Sequence, residues 1–155
     1  MLPALARSLG DAAMIAYLTL FTAALVAATV MPLQSEAVLV GLLLAQTHPA
    51  LMLILVATLG NVAGSIINWY LGRALLQFQH RRWFPCSTRQ LDRAQHWYRR
   101  WGRWSLLASW VPVVGDPLTV MAGVLREPLL PFVVLVTLAK GTRYLVLAAL
   151  TLPWL

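Results

Sequence analysis

Glu36, Asp116, Lys140 and Arg143 all sit within or beside apolar runs of the chain. A lone charge at mid-membrane costs at least about 2.5–3.5 kcal/mol on insertion scales. Groups placed this way are expected to pair with each other or to face water. Two acids close to chain breaks, with two cations on a separate apolar stretch, make opposite-charge pairing the cheapest arrangement. Such pairs could be buried salt bridges holding a bundle together. They could also gain and lose protons, or offer their cations to an anionic headgroup, and intramembrane ionisable residues carry function by default. Arg73, at the end of another apolar run, is a further cation able to neutralise phosphate or hold an acid. Lys140 has a second option, snorkelling its ammonium towards an interface.

Other chemistries find little support. The single cysteine, Cys86, has no partner for an intramolecular disulfide, and no His/Cys cluster offers a metal site. His48, His80 and His96 fall in loops or on a polar helix, with no Ser/His constellation and no HExxH. General acid–base work would leave Glu36 and Asp116 to do everything. The expectation is a protein that is not an enzyme and carries no metal or cofactor.

The elements that must position these groups are membrane helices. Of 155 residues, 60% are hydrophobic and only 11% charged, with mean hydropathy +0.73, against roughly 25% charged in a soluble domain. At about 20 apolar residues per span, the chain has room for one all-α integral membrane domain over 1–155. Ala12 to Val30 is the first expected span, and Thr29-Val-Met-Pro32 lacks a small-x-small cleavage pattern, so it is expected to stay in the mature protein. Pro32 then breaks the pattern before a short apolar run, Ala37 to Ala45, which cannot cross a bilayer and reads as re-entrant. Leu51 to Leu71 is the second span. Its Gly60-x-x-x-Gly64 reads as a close helix–helix contact, with Asn61, Ser65 and Asn68 at helical spacing.

Trp104 to Leu125 is apolar but interrupted by Pro112, Gly115, Asp116 and Pro117, and a straight helix would lose backbone hydrogen bonds there. Two forms remain open: a second re-entrant segment turning at Val113 to Pro117 and returning to Arg126-Glu127, or a kinked full span. Pro131 to Leu155 is the last span, with Trp154 as an interfacial anchor. The two broken segments fall in the two halves, 1–72 and 104–155, as in transporters built on inverted repeats with paired broken helices. The binding site would lie where their tips face each other.

Between the halves, residues 73–103 hold most of the basic residues against one acid, Asp92, which places the segment in the cytoplasm. Ser87 and Gln90 form a capping-box start. Leu91, Ala94, Trp97, Tyr98 and Trp101 then recur at helical spacing up to Gly102, opposite Arg89, Arg93, His96 and Arg100. That is an interfacial amphipathic helix, with Trp97 and Trp101 at the boundary and Arg89, Arg93 and Arg100 on lipid phosphates. The partners expected are membrane lipids with anionic headgroups, and protons; a basic patch chained to apolar spans is topological, so nucleic acid is not among them. A homo-oligomer is compatible with all of this. The alternative to transport is a membrane scaffold whose arginine helix binds anionic lipid or a protein.

Three blocks together cover most of the chain: Pro32-Leu-Gln-Ser-Glu36-Ala-Val-Leu; Gly60-Asn-Val-Ala-Gly64-Ser-Ile-Ile-Asn-Trp-Tyr-Leu-Gly72-Arg73; and Ser109-Trp-Val-Pro112-Val-Val-Gly115-Asp116-Pro-Leu-Thr-Val-Met-Ala-Gly123. In order and separation they resemble the DedA membrane proteins, the VTT-domain or SNARE-associated Golgi protein family, most closely its short YqaA-like branch. Trp69 stands where the family usually has tyrosine. Most members carry two arginines flanking the third block's proline, and here those positions are Ser109 and Gly115, with Asp116 beside the latter. Lys140 and Arg143 would restore positive charge from another helix. The resemblance implies a bacterial inner-membrane translocase for a lipid or polyprenyl phosphate, dependent on the proton-motive force.

Overall fold

The computed structural model describes residues 2–28, 34–75, 93, 96, 98, 100–111 and 114–152. Among them are six helical elements and no strand: α1 (Leu2–Ala27), α2 (Gln34–Leu44), α3 (Ala50–Leu75), a 3-10 segment (Gly102–Trp110), α4 (Gly115–Val124) and α5 (Leu129–Thr151). Three are long and apolar enough to cross a membrane, over Gly10–Ala27, Ala50–Ala74 and Leu129–Thr151. At 1.5 Å per residue, α2 (11 residues) and α4 (10 residues) are about 17 and 15 Å long. That is about half of a ~30 Å hydrocarbon core.

The boundaries depart from those expected. α1 begins at Leu2 and ends at Ala27, short of Val30. α2 starts at Gln34 rather than Ala37, so Glu36 lies inside its first turn instead of ahead of it; an apolar run marks the lipid-facing stretch, whereas a helix begins at its cap. Pro32 and Pro112, expected to break the chain, lie outside the described residues, although helix is absent at Val111 and resumes at Gly115. α5 begins after Pro128, with Pro131 in its first turn, where a missing N–H leaves nothing unsatisfied.

Local chemistry explains the ends. Gln46 closes α2 in the left-handed region (φ 51°), its N–H reaching Leu43 O at 3.1 Å. α4 closes in the same way at Arg126 (φ 58°), with Glu127 N to Ala122 O at 2.9 Å and Arg126 N to Gly123 O at 3.0 Å. This is a Schellman-type cap with arginine in the place usually given to glycine. Gly102 (φ 57°) separates the preceding helical residues from the 3-10 segment.

α3 is the central post, touching α1, α2, α4 and α5. One apolar cluster joins Trp69, Leu118, Met121, Phe132 and Val136; another joins Leu20, Leu39, Leu53, Ala57 and Tyr144. The small residues allow backbones to touch, as lipid-embedded packing favours. A Cβ on Gly60 would meet Phe21 O and the Ala24 side chain, and one on Gly64 would meet Leu25 O and Ala28. The expected Gly60/Gly64 contact is thus the α1–α3 crossing. Gly72 and Gly123 form a reciprocal crossing: a Cβ on Gly72 would overlap Val120 O, and one on Gly123 would overlap Trp69 O. Gly115 packs against the Ser109 backbone.

These contacts give directions. α1 runs parallel to α3, since its residues 21–28 climb beside residues 60–68. α4 also runs parallel to α3, from the level of Asn61 to the crossing at Gly72, while α5 runs back with Gly141 against Thr58. The N-termini of α2 and α4 both start near the middle of α3.

Gly72→Val and Gly123→Val should each sharply reduce membrane accumulation and lower the thermal midpoint in detergent. A methyl added at Gly10 or Gly41 would enter open space, so Gly10→Ala and Gly41→Ala should leave both measurements within error of the parent.

Candidate functional site

α5 carries Lys140, Arg143 and Tyr144 at i, i+3 and i+4, which places all three on one helix face. Lys140 is 3% exposed and does not snorkel: its Nζ donates to Asp116 Oδ1 at 3.2 Å and to Asn61 Oδ1. Arg143, 13% exposed, pairs with Glu36. Its Nη2 is buried and makes no hydrogen bond beyond that ion pair. The four ionisable residues singled out in the sequence are therefore two adjacent ion pairs, each joining α5 to the first turn of a short helix.

A hydrogen-bonded chain runs from the Lys140 pair to Ser35, the residue before Glu36. Asn61 Nδ2 donates to Tyr144 Oη at 2.6 Å, and Tyr144 donates to Ser35 Oγ at 2.9 Å. On the other side Thr119 Oγ1 donates to Asp116 O at 2.7 Å, and Asn68 Nδ2 reaches Thr119 Oγ1 at 3.3 Å and Ala28 O at 2.7 Å. Ser35, Asn61, Asn68, Thr119 and Tyr144 are all buried. Buried polar groups need partners of this kind, because each unsatisfied one costs about 1–3 kcal/mol.

The electrostatics are lopsided. Two cations face two carboxylates, but the site also receives two helix N-termini, each equivalent to about +0.5 charge. With Glu36 and Asp116 ionised, the region retains an excess of about one positive charge. A site of this composition favours an additional anion.

Arg73 does not join the cluster. It is exposed at the end of α3, its guanidinium over the Trp69 ring at 5.1 Å, and it makes none of the three ion pairs among the described residues. Its position at a helix end suggests phosphate contact, but the same position puts it about three turns along α3 from Asn61.

A second polar cluster went unread in the sequence. Glu127, expected simply as the polar end of a broken segment, is 13% exposed. Its Oε2 accepts from Tyr98 at 2.6 Å, Arg103 Nε lies 3.5 Å from Oε1, and its backbone O accepts from Trp69 Nε1 at 3.1 Å. Burial above all, then the hydrogen bond and charge of Glu127, hold the Tyr98 phenol well above its ordinary value, with Arg103 acting in the opposite direction. It stays a donor at physiological pH. Tyr98 therefore faces protein, not lipid as its place on the apolar face suggests, while Arg93, His96, Arg100 and Trp101 are exposed. Arg89 and Trp97 lie outside the described residues.

Asn61, Ser35 and Tyr144 were missed as site residues. Asn61 was legible as polar in an apolar helix but sits within a glycine contact motif. Tyr144 had one usable signal, its i+4 spacing from Lys140.

Breaking a buried ion pair by removing one partner costs about 3–5 kcal/mol, whereas replacing both is often neutral. Lys140→Met and Asp116→Asn should each depress the thermal midpoint in detergent, and the double variant should recover most of the loss. Additive losses, with the double variant destabilised by about the sum of the two single variants, would show that the two side chains do not act as a pair.

The VTT domain family matches residues 30–151. The chain is 38% identical over 135 residues to the inner membrane protein YqaA of Escherichia coli K12, covering 86% of this chain and 89% of that protein. It is 36% identical over 143 residues to an uncharacterized protein of Haemophilus influenzae, covering 88% and 87%. It is 26% identical over 104 residues to undecaprenyl phosphate transporter A of Staphylococcus aureus, covering 61% and 51%. No solved structure matches the chain.

Proposed function

The chain belongs to the VTT-domain (DedA) family, and from that premise we propose that it moves an anionic lipid phosphate headgroup across the bacterial inner membrane. The observation that carries this is the meeting of two short-helix N-termini and two cations on one buried face of α5. Support for the substrate class comes from the distant relative named for undecaprenyl phosphate transport. Support for the location comes from YqaA, named as an inner membrane protein.

On this reading α2 and α4 are the inner arms of two re-entrant segments that enter from opposite faces. Their lengths, about 17 and 15 Å, each reach about the middle of a ~30 Å core. The basic segment 73–103 lies in the cytoplasm, next to the α4–α5 turn, and the α2–α3 connection lies on the other face. Headgroups gather first at the exposed Arg93, Arg100 and Trp101.

The chemistry at the centre is an exchange of anions. A phosphate entering the site competes with Glu36 for Arg143 and with Asp116 for Lys140, and the charge-assisted bonds of guanidinium and ammonium suit its oxygens. Protonation of a carboxylate releases its cation to the phosphate, which ties loading to protons. The proton returns to water when the headgroup leaves and the ion pair re-forms. No bond in the lipid is made or broken, so the protein acts as a carrier rather than an enzyme.

In vesicles containing the purified protein, labelled undecaprenyl phosphate should redistribute between leaflets faster than in empty vesicles. Glu36→Gln and Asp116→Asn should each abolish the acceleration while the protein still accumulates in membranes. Absence of acceleration by folded parent protein removes the reading; loss of activity only on changing Arg93, Arg100, Trp97 and Trp101 would favour a lipid-binding scaffold instead. In a Cys86→Ser background, an impermeant thiol reagent should reach Thr47→Cys and Arg126→Cys from opposite sides of the membrane.

A further inference from the structure

The groups between the Lys140 pair and Ser35 at the tip of α2 have fixed donor and acceptor roles. An ammonium only donates. Lys140 therefore takes the carbonyl oxygen of Asn61, and the Asn61 amide nitrogen has to point the other way, at Tyr144. The Tyr144 oxygen accepts from that nitrogen, which leaves its single proton for Ser35. Every bond from Lys140 to Ser35 runs in one direction, and the ammonium sets that direction.

We propose that Asn61 and Tyr144 are positioning residues that couple the tips of α2 and α4, so that the state of Lys140 at one tip sets the hold on the other. When the Lys140 ammonium is drawn onto a different anion, or Asp116 ceases to hold it, Asn61 loses the partner that orients its amide. The amide turns over or swings away, and Tyr144 no longer receives a donor. The hydroxyl then has no fixed orientation, and its bond to Ser35 weakens. Release of α4 thereby loosens α2. The coupling is reciprocal, as any equilibrium coupling between two sites must be.

The surroundings favour this over a passive polar core. Tyr144 is 1% exposed and packed among Leu20, Leu39, Leu53 and Ala57, so its ring cannot follow a departing Ser35. The bond must break rather than stretch. α2 itself is held by little else that is polar: among the described residues its only other such link to α5 is Glu36 with Arg143. α4 has its own polar contact with α3, Asn68 to Thr119, which does not involve Asn61. Among the described residues, the hydrogen-bond route between the two tips thus passes through the Asn61–Tyr144 step.

The proposal rests on the transport reading for its purpose, but its test does not. In a Cys86→Ser protein in sealed vesicles, Ala37→Cys reports on the α2 tip and Val114→Cys on the α4 tip, both exposed positions. Labelling rates with an impermeant maleimide are measured with and without Asp116→Asn. With Tyr144 present, Asp116→Asn should raise both rates by at least about fivefold, the lower end of ordinary coupling factors. With Tyr144→Phe, Asp116→Asn should still raise the Val114→Cys rate, but the Ala37→Cys rate should no longer respond. Ser35→Ala removes the same bond from its other end and should reproduce that result even if Tyr144→Phe folds poorly. An Ala37→Cys rate that ignores Asp116→Asn in the parent, or that responds equally without the Tyr144 hydroxyl, overturns the coupling. Labelled undecaprenyl phosphate followed in the same vesicles separates the two ideas: coupled tips without lipid movement sink the transport reading alone, and lipid movement with uncoupled tips sinks this proposal alone.

Discussion

The need to neutralise Lys140 and Arg143 organises the molecule. Both sit on an apolar helix, at a level near the middle of the central post α3, with little exposure of their own. Carboxylates must be brought to that depth by the rest of the chain. A continuous span would carry a carboxylate through the level on its side, with its backbone dipole running past. A helix that begins there instead delivers the carboxylate in its first turn, where the free N–H groups also stabilise it. α2 and α4 both begin there, with Glu36 and Asp116 in their first turns. The interruptions in the helical pattern are the means by which two acids reach two cations.

Having committed two short helices to this purpose, the fold must hold them without long spans of their own. α4 is fastened by backbone contact with α3 through Gly72 and Gly123, and at its far end by Glu127, which gathers Tyr98, Arg103 and Trp69 around one turn. α2 has no equivalent glycine crossing: Gly41 faces open space. It relies on apolar contact through Leu39 and Leu43 and on the polar links of Ser35 and Glu36. The two halves resemble each other in plan and differ in how firmly they are fixed.

Much of this was legible from residue types alone. Charges in oil demand partners, so the pairing of Glu36 and Asp116 with Lys140 and Arg143 followed from cost, and the partner choice from geometry. Glycines four apart in an apolar helix demand a close neighbour, and Gly60 and Gly64 have one in α1. What stayed hidden depends on relations between distant segments. Asn61, Tyr144 and Ser35 are unremarkable in isolation, and only α3, α5 and α2 packed together make them a chain. Tyr98 sits on the apolar face that periodicity assigns to lipid, yet it finds Glu127, because amphipathicity cannot distinguish a lipid neighbour from a protein one. Arg73 misled in the opposite sense, since a cation ending an apolar helix is equally suited to a headgroup and to the ring of Trp69.

The crossing of Gly72 and Gly123 also determines what movement α4 can make. Two backbones that touch with no side chain between them resist sliding, because neighbouring residues would collide, but they tolerate a small swivel about the point of contact. Asp116 is seven residues from Gly123, a lever arm of about 10 Å. A swivel of about 10° would carry the carboxylate nearly 2 Å over that arm, and only in a direction that lifts Gly115 off the Ser109 backbone. The crossing is in this sense a fulcrum, and the Gly115–Ser109 contact is the stop against which the other end of the short helix rests.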